Sequence, residues 1–180
     1  IFEKNEFYIK QTYRNRCKIL TANGVMDLTI PVEKINGSKT LIRDIRIFNH
    51  ENWQMLHWRA MESAYSNSPF FEYYKDYLLP FYSEKFDFLF DFNFKLLQKT
   101  FELLEIELPE IEFTNAFSQT KENENIIDFR NKFDPKKTLP TAKPLYYQVF
   151  TEKFGFTPDL SIIDLLFNLG NESELYLSEL

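Results

Sequence analysis

The chain has 180 residues, 44% of them hydrophobic and 27% charged, with a formal net charge of −6 at pH 7. That composition supports the buried core of one ordinary domain and excludes intrinsic disorder and collagen-like repeats. The four glycines stand alone, so neither G-x-G-x-x-G nor G-x-x-x-x-G-K can be written; nor does any apolar run approach the roughly 18 to 20 residues that span a bilayer.

The charge is unevenly placed. Up to Ala60 ten Lys/Arg stand against six Asp/Glu, and from Met61 onward eleven stand against twenty-one. Lys10, Arg14, Arg16 and Lys18 fall in a stretch with no acid between Phe7 and Met26. Four cations on an acidic protein attract a small anion such as phosphate or carboxylate. They do not make the basic footprint of a duplex-binding domain, and no nucleic-acid partner is expected. The single cysteine, Cys17, can form neither an internal disulfide nor a cysteine-based metal cage, which fits a reducing compartment. The sequence opens Ile1-Phe2-Glu3 with neither Met nor a signal-peptide pattern, so a missing N-terminal opening is expected.

In chain order, the first element is a hairpin. Asn23-Gly24 between two β-prone runs predicts a two-residue turn with both residues at positive φ. That register sets Thr21 opposite Met26, Ile19 opposite Leu28 and Cys17 opposite Ile30 on one apolar face. Alternation then gathers Arg14, Arg16 and Lys18 on the polar face and puts Asn15 with Cys17 on the inner one. Lys10 joins the cations if the strand runs unbroken that far. Pro31 ends the second strand, Ile35 to Thr40 is a loop, and Leu41 to Phe48 reads as a further strand.

From about Glu51 to Tyr65 the period becomes helical, capped by Asn49 or His50. Ser68-Pro69 predicts the cap and first position of a second helix that ends before Pro80. Phenylalanines at 86, 88, 90, 92 and 94 alternate like a strand. The continuation through Phe86, Leu89, Phe90, Phe94, Leu97, Phe101 and Leu104 has helical spacing and predicts one long, strongly buried helix. Leu108 to Phe113 is a candidate short strand, and Ser118 to Asn125 and Asp134 to Pro144 are surface loops. Short helices follow over Leu145 to Phe154, stopped by Gly155, and over Ile162 to Leu169, started by Ser161 or Asp159 and stopped by Gly170. A last polar helix closes the chain. The expected fold is α+β in a single domain, 1–180, with 1–48 mostly β and 49–180 mostly helical.

The cationic strand of Arg14, Arg16 and Lys18, joined by Lys10 if the strand reaches it, is the best candidate for ligand chemistry. An arginine grips a phosphate or carboxylate with a planar fork of donors. The competing reading is ordinary ion pairing with acids from the helical part. His57, on the stripe Trp53, His57, Met61, Ala64, is a candidate general base because its pKa lies near neutrality. The alternative for it is a hydrogen-bonded core residue. His50 lies about 10.5 Å away along a helix axis, too far to share a metal, and no metal site is expected. Cys17 reads as a buried structural thiol. The aromatic load of 20 Phe, 10 Tyr and 2 Trp is chiefly core, with Tyr73-Tyr74 and Tyr146-Tyr147 as candidate cleft-lining pairs.

Several blocks, in order along nearly the whole chain, resemble the WbqC-like family of bacterial proteins. They are Tyr8-Ile9-Lys10-Gln11-Thr12-Tyr13-Arg14-Asn15-Arg16-Cys17, Ala22-Asn23-Gly24 and Leu28-Thr29-Ile30-Pro31-Val32. Trp53, His57-Trp58-Arg59, Ala64-Tyr65 and Ser68-Pro69-Phe70-Phe71-Glu72-Tyr73-Tyr74 continue the match. Phe154-Gly155-Phe156 and Leu160-Ser161-Ile162-Ile163-Asp164-Leu165-Leu166-Phe167-Asn168 complete it. Family members open with a further strand and helix, rich in Pro and Tyr, that does not precede Ile1 here. The resemblance implies a component of O-antigen and other surface-polysaccharide gene clusters, a glycine-transferring role having been suggested for a member. The family's Asn-Arg element falls on Asn15 and Arg16.

The residues and the resemblance together lead to the expectation of a cytoplasmic group-transfer enzyme that passes an aminoacyl or acyl group to an amino sugar. Lys10, Arg14 and Arg16 would bind the diphosphate of a nucleotide- or lipid-linked sugar, Asn15 would orient a polar group, and His57 would deprotonate the amine. No cofactor is expected, and other enzymes of the pathway are candidate partners. The rival expectation is a non-catalytic scaffold that holds glycan intermediates or another enzyme of that pathway.

Overall fold

The computed structural model describes residues 1–33, 39–117, 127–130, 132–135 and 144–180. A two-stranded antiparallel sheet, β1 (Arg16–Thr21) and β2 (Gly24–Thr29), leads into a mainly helical body, so the fold is α+β. The body consists of α1 (Trp53–Tyr65), α2 (Phe71–Ser83), α3 (Leu89–Leu103), α4 (Thr151–Phe154), α5 (Ile162–Leu169) and α6 (Glu172–Ser178).

The hairpin forms where expected but in a register two residues tighter. Thr21 pairs with Gly24, Ile19 with Met26 and Cys17 with Leu28, so the turn is Ala22-Asn23. Gly24 takes the positive φ, +102°, that the expected turn also asked of Asn23. Thr21 locks the turn, its hydroxyl accepting from the Asn23 N–H at 3.2 Å and donating to the Gly24 carbonyl at 2.8 Å. A shift of two leaves every side chain on its original face, but Met26 of the expected apolar face is exposed and Leu20 of the more polar face is buried.

The strand expected over Leu41 to Phe48 is instead a single 3-10 turn, Ile42–Asp44, flanked by isolated bridges. One of them pairs Arg46 with Phe88, and Ile47 donates to the Asp87 carbonyl while Leu89 donates to that of Ile45. The alternation of phenylalanines before Leu89 is therefore extended chain, and only the later, helical spacing belongs to α3. Leu108 to Phe113 contributes a lone bridge, Phe2 to Phe113. Of the segment 145–154 only α4 is helical. The three expected loops, Ile35 to Thr40, Ser118 to Asn125 and Asp134 to Pro144, fall mostly outside the described residues.

α1 buries the stripe Trp53, His57, Met61 and Ala64, with Asn52 rather than Asn49 or His50 at its start. α2 begins after Phe70 and, contrary to expectation, runs through Pro80 to Ser83. A proline inside a helix costs about 3 kcal/mol or more. Here the far side of Pro80 carries Phe81, buried in the core, and Tyr82, packed against both core clusters, and that burial offsets the lost hydrogen bond. One cluster joins Ile19 and Leu28 of the hairpin to α1, α2, the end of α3 and α5. The other joins Ile30, the Ile42 turn, Trp53, Phe81, Leu89 and Phe92. No helix among the described residues is long and apolar enough to cross a membrane.

Gly170 ends α5 as expected, at φ 59° and ψ −131°, a region that glycine alone tolerates. A Cβ there would lie 2.7 Å from the Phe70 ring. Gly170→Ala is expected to cost at least about 1 to 3 kcal/mol from backbone strain alone. Urea unfolding of the variant checks this, and a change under half that size would refute it.

Candidate functional site

The cationic segment is built from a turn and a strand rather than from one long strand. Tyr8 donates to the Thr40 carbonyl, after which the chain folds back through Gln11, a non-glycine residue at φ 60°. The Thr12 hydroxyl closes this turn on the Ile9 carbonyl at 2.9 Å. Lys10 is thereby exposed on the turn, away from the strand that begins at Arg16. The condition that would have aligned Lys10 with the other cations is not met.

Acids of the same N-terminal part answer the arginines. Arg14 grips Glu6 in two bonds, Nε and Nη2 each 2.6 Å from a carboxylate oxygen. Arg16 reaches Asp27 across the hairpin at 3.1 Å, and Lys18 donates to the Pro135 carbonyl at 3.1 Å. Proximity in sequence decides the two arginine pairings, not the acidic surplus of the helical body, whereas Lys18 is answered by a residue 117 positions away. Two buried polar atoms here stay unpartnered, Asn15 Oδ1 and Arg16 Nε. Asn15 is only 7% exposed, and its amide donates to the Ile30 carbonyl at 3.0 Å, extending the hairpin by one pair. Burial also pushes the nearby Tyr8 hydroxyl up, against the pull of Arg16 and Arg14.

A cavity of about 420 Å³ adjoins this segment. Its walls are mainly apolar, half of that aromatic, with Phe2, Tyr13, Phe90 and Phe94 in the lining beside Glu3, Glu6 and Asn93. Thus the Phe90, Phe94 and Leu97 stripe of α3, expected to be core, borders open space instead. Two lining residues hold Arg14: Glu6 grips its guanidinium, and the Asn93 amide donates to its carbonyl at 2.7 Å. Glu3 is held in turn by the Asn5 N–H at 2.7 Å and the Thr114 hydroxyl at 2.6 Å. The cavity size and its few convergent polar groups are those of a small-molecule site.

His57 does not line this cavity. It is 8% exposed, between the rings of Trp53 at 5.2 Å and Tyr82 at 6.4 Å. Burial lowers its pKa from 6.5 to about 4, against the opposing pull of a hydrogen bond to the Thr29 backbone. It is neutral at physiological pH. Cys17 is half-buried, and burial of its thiol pushes the pKa up to about 11. Among the described residues no group of three or more His, Cys, Asp or Glu is placed to hold a metal ion.

The polar centre that sequence reasoning missed is Asp164, 1% exposed on α5. It accepts from the Tyr65 hydroxyl at 2.9 Å, the Tyr146 hydroxyl at 2.7 Å and the Gln148 amide at 3.0 Å. Burial nonetheless raises its pKa, since those three bonds pull down by less. Ser161-x-x-Asp164 has the form of a helix start, which hides the carboxylate's inward direction. Tyr146, one of the suggested cleft tyrosines, therefore has a defined partner, whereas Tyr73 is exposed.

The WbqC-like protein family model matches residues 1–144. A protein of Mycobacterium tuberculosis (strain ATCC 25618 / H37Rv), "Uncharacterized protein Rv1507c", is 28% identical over 193 aligned positions, covering 94% of this chain and 83% of that protein. No solved structure matches the chain. A family match over four-fifths of the length, including the Tyr8 to Cys17 segment and the turn after β1, makes this chain a member of the WbqC-like protein family.

Proposed function

We propose that the chain binds a nucleotide- or lipid-linked amino sugar of bacterial surface-polysaccharide biosynthesis in the aromatic cavity and passes an aminoacyl or acyl group to it. Membership of the WbqC-like family fits a polysaccharide-related role. The observation that carries the reading is the meeting of Arg14 with that cavity through Glu6 and Asn93. Phe90, Phe94 and Tyr13 offer flat faces for a sugar or a base, and Glu3 and Glu6 offer acceptors for an amine.

In this scheme Arg14 and Arg16 exchange Glu6 and Asp27 for the ligand's phosphates, and Lys10 adds a third charge from its exposed turn. Asn15 contributes the unpartnered Oδ1. The sugar nitrogen attacks the carbonyl carbon of an activated acyl donor, forming an amide C–N bond. The bond from that carbon to the donor's leaving group breaks, and the leaving group takes the electron pair. The proton lost by nitrogen passes to a lining carboxylate, Glu3 or Glu6, leaving His57 as a core residue. Placement and charge supply most of the acceleration in such a reaction.

The second reading is a non-catalytic glycan scaffold, favoured by the pairing of Arg14 and Arg16 inside the chain. Thermal shift against nucleotide sugars, nucleoside diphosphates and pyrophosphate separates the two. A ligand at about 100 times its Kd stabilises by roughly 2.7 kcal/mol, several degrees for a domain of this size. The transferase reading expects a shift from a nucleotide sugar that is lost in Arg14→Ala/Arg16→Ala. A shift that survives there and disappears in Phe94→Ala supports the scaffold, and no shift with any ligand removes the cavity as the site.

A further inference from the structure

A second cavity, of about 210 Å³, lies at the start of α5, with Tyr146, Phe156, Leu160, Leu165 and Leu177 in its lining. Ile162 lines this cavity and the aromatic one as well. The backbone around Ile162 is tied down on both sides. Ser161 donates to the Lys18 carbonyl of β1 at 2.8 Å, and two residues on, Asp164 is held by Tyr65, Tyr146 and Gln148. A β-branched side chain in a helix keeps one strongly preferred rotamer. Ile162 is therefore a fixed wall with open space against it in both cavities.

The two spaces differ in chemistry. The larger carries Glu3, Glu6 and Asn93 among phenylalanines, whereas the smaller has one acid, Asp159, and Ser161 in a lining that is otherwise chiefly aliphatic and aromatic. Tyr146 does not counter this, because its hydroxyl is already committed to Asp164. An apolar cavity of about 150 Å³ accommodates benzene, so the smaller space has room for a short aliphatic chain, and the Asp159 carboxylate in its lining disfavours an anionic one.

We infer that the two cavities are compartments of one binding site, with Ile162 as the partition. The larger compartment takes the sugar, as in the function proposed above, on which this inference rests. The smaller takes a short, uncharged aliphatic or acyl group. Ile162 thus contacts both ligands and sets the distance between them.

Methyl NMR of the full chain, with 13C-labelled isoleucine and leucine methyl groups, tests this with UDP-N-acetylglucosamine and hexanamide as probes. Ile162→Val, a conservative change, assigns the Ile162 signal by its disappearance. The Ile162 methyl is expected to shift saturably with each probe, and the Leu165 methyls with hexanamide alone. In Ile162→Trp, whose ring fills the smaller space, hexanamide affinity should fall at least 10-fold. A nucleotide-sugar response with no hexanamide response overturns the partition but leaves the sugar site standing. Hexanamide binding that never moves the Ile162 signal also overturns it. If UDP-N-acetylglucosamine moves no methyl while hexanamide does, the proposed function fails and the two-compartment site fails with it.

Discussion

Replacing Asp164 with alanine is expected to destabilise the protein by about 3 to 5 kcal/mol, because three buried donors lose their shared acceptor. Each uncompensated buried polar group costs roughly 1 to 3 kcal/mol, and relaxation of the tyrosine hydroxyls recovers part of the sum. A loss of that size is a large share of the stability of an ordinary domain, about 5 to 15 kcal/mol. Tyr146→Phe is the gentler companion, since it removes one donor and keeps the ring. It should cost about 1 kcal/mol, and Asp164→Asn, which keeps the volume, should fall between the two. Urea unfolding gives all three values. The network has no structural weight if Asp164→Ala unfolds within about 1 kcal/mol of the parent chain.

Acid should weaken the fold through His57. Its pKa is near 6.5 when unfolded and about 4 when folded, so the unfolded chain takes up the proton first as pH falls. The stability from keeping His57 neutral is present in full above pH 6.5 and is lost progressively on the way down to about pH 4. At 1.36 kcal/mol per pKa unit the loss is about 3 kcal/mol. Asp164 works the other way, because its pKa is raised in the fold. Its contribution is complete below the ordinary carboxylate range and is lost as pH rises through the raised value. The His57 component is isolated by comparing unfolding free energies at pH 7 and pH 4.5 for the parent chain and His57→Gln. The variant should show a clearly shallower decline, with nucleotide-sugar binding retained at pH 7. An equal decline in both chains would show that His57 is not the titrating group. Loss of binding in the variant would return His57 to the candidate site.

Much of this was legible locally. The helical stripe from Trp53 to Ala64, the stop at Gly170 and the positive φ of Gly24 each depend on residues within a few positions of one another. The register of the hairpin was not, because Thr21 pulls the turn two residues tighter with its hydroxyl. Nor was the fate of Leu41 to Phe48, whose hydrogen-bonding partners lie near Pro31 and Phe88 instead of in a neighbouring strand.

Arg14 and Asn15 could be picked out from charge, but their surroundings could not. Glu6 is eight residues from Arg14, whereas Asn93 is 79 away, and only the folded chain brings both to one cavity wall. Asp164 was still less visible, since its partners Tyr65 and Tyr146 lie 99 and 18 residues away.

By itself, then, the sequence determined the fold class, the side-chain alternation of the hairpin, the buried stripe of α1, the cationic segment and the family resemblance. Periodicity, turn chemistry and short-range charge are properties of neighbouring residues, so they survive without tertiary contacts. Tertiary structure decided what holds the Arg14 carbonyl and the Lys18 ammonium, which histidine is buried and where space is left open. Burial and pairing are set by elements that meet only after the chain has packed, and residues that meet in this way carry no local mark of it.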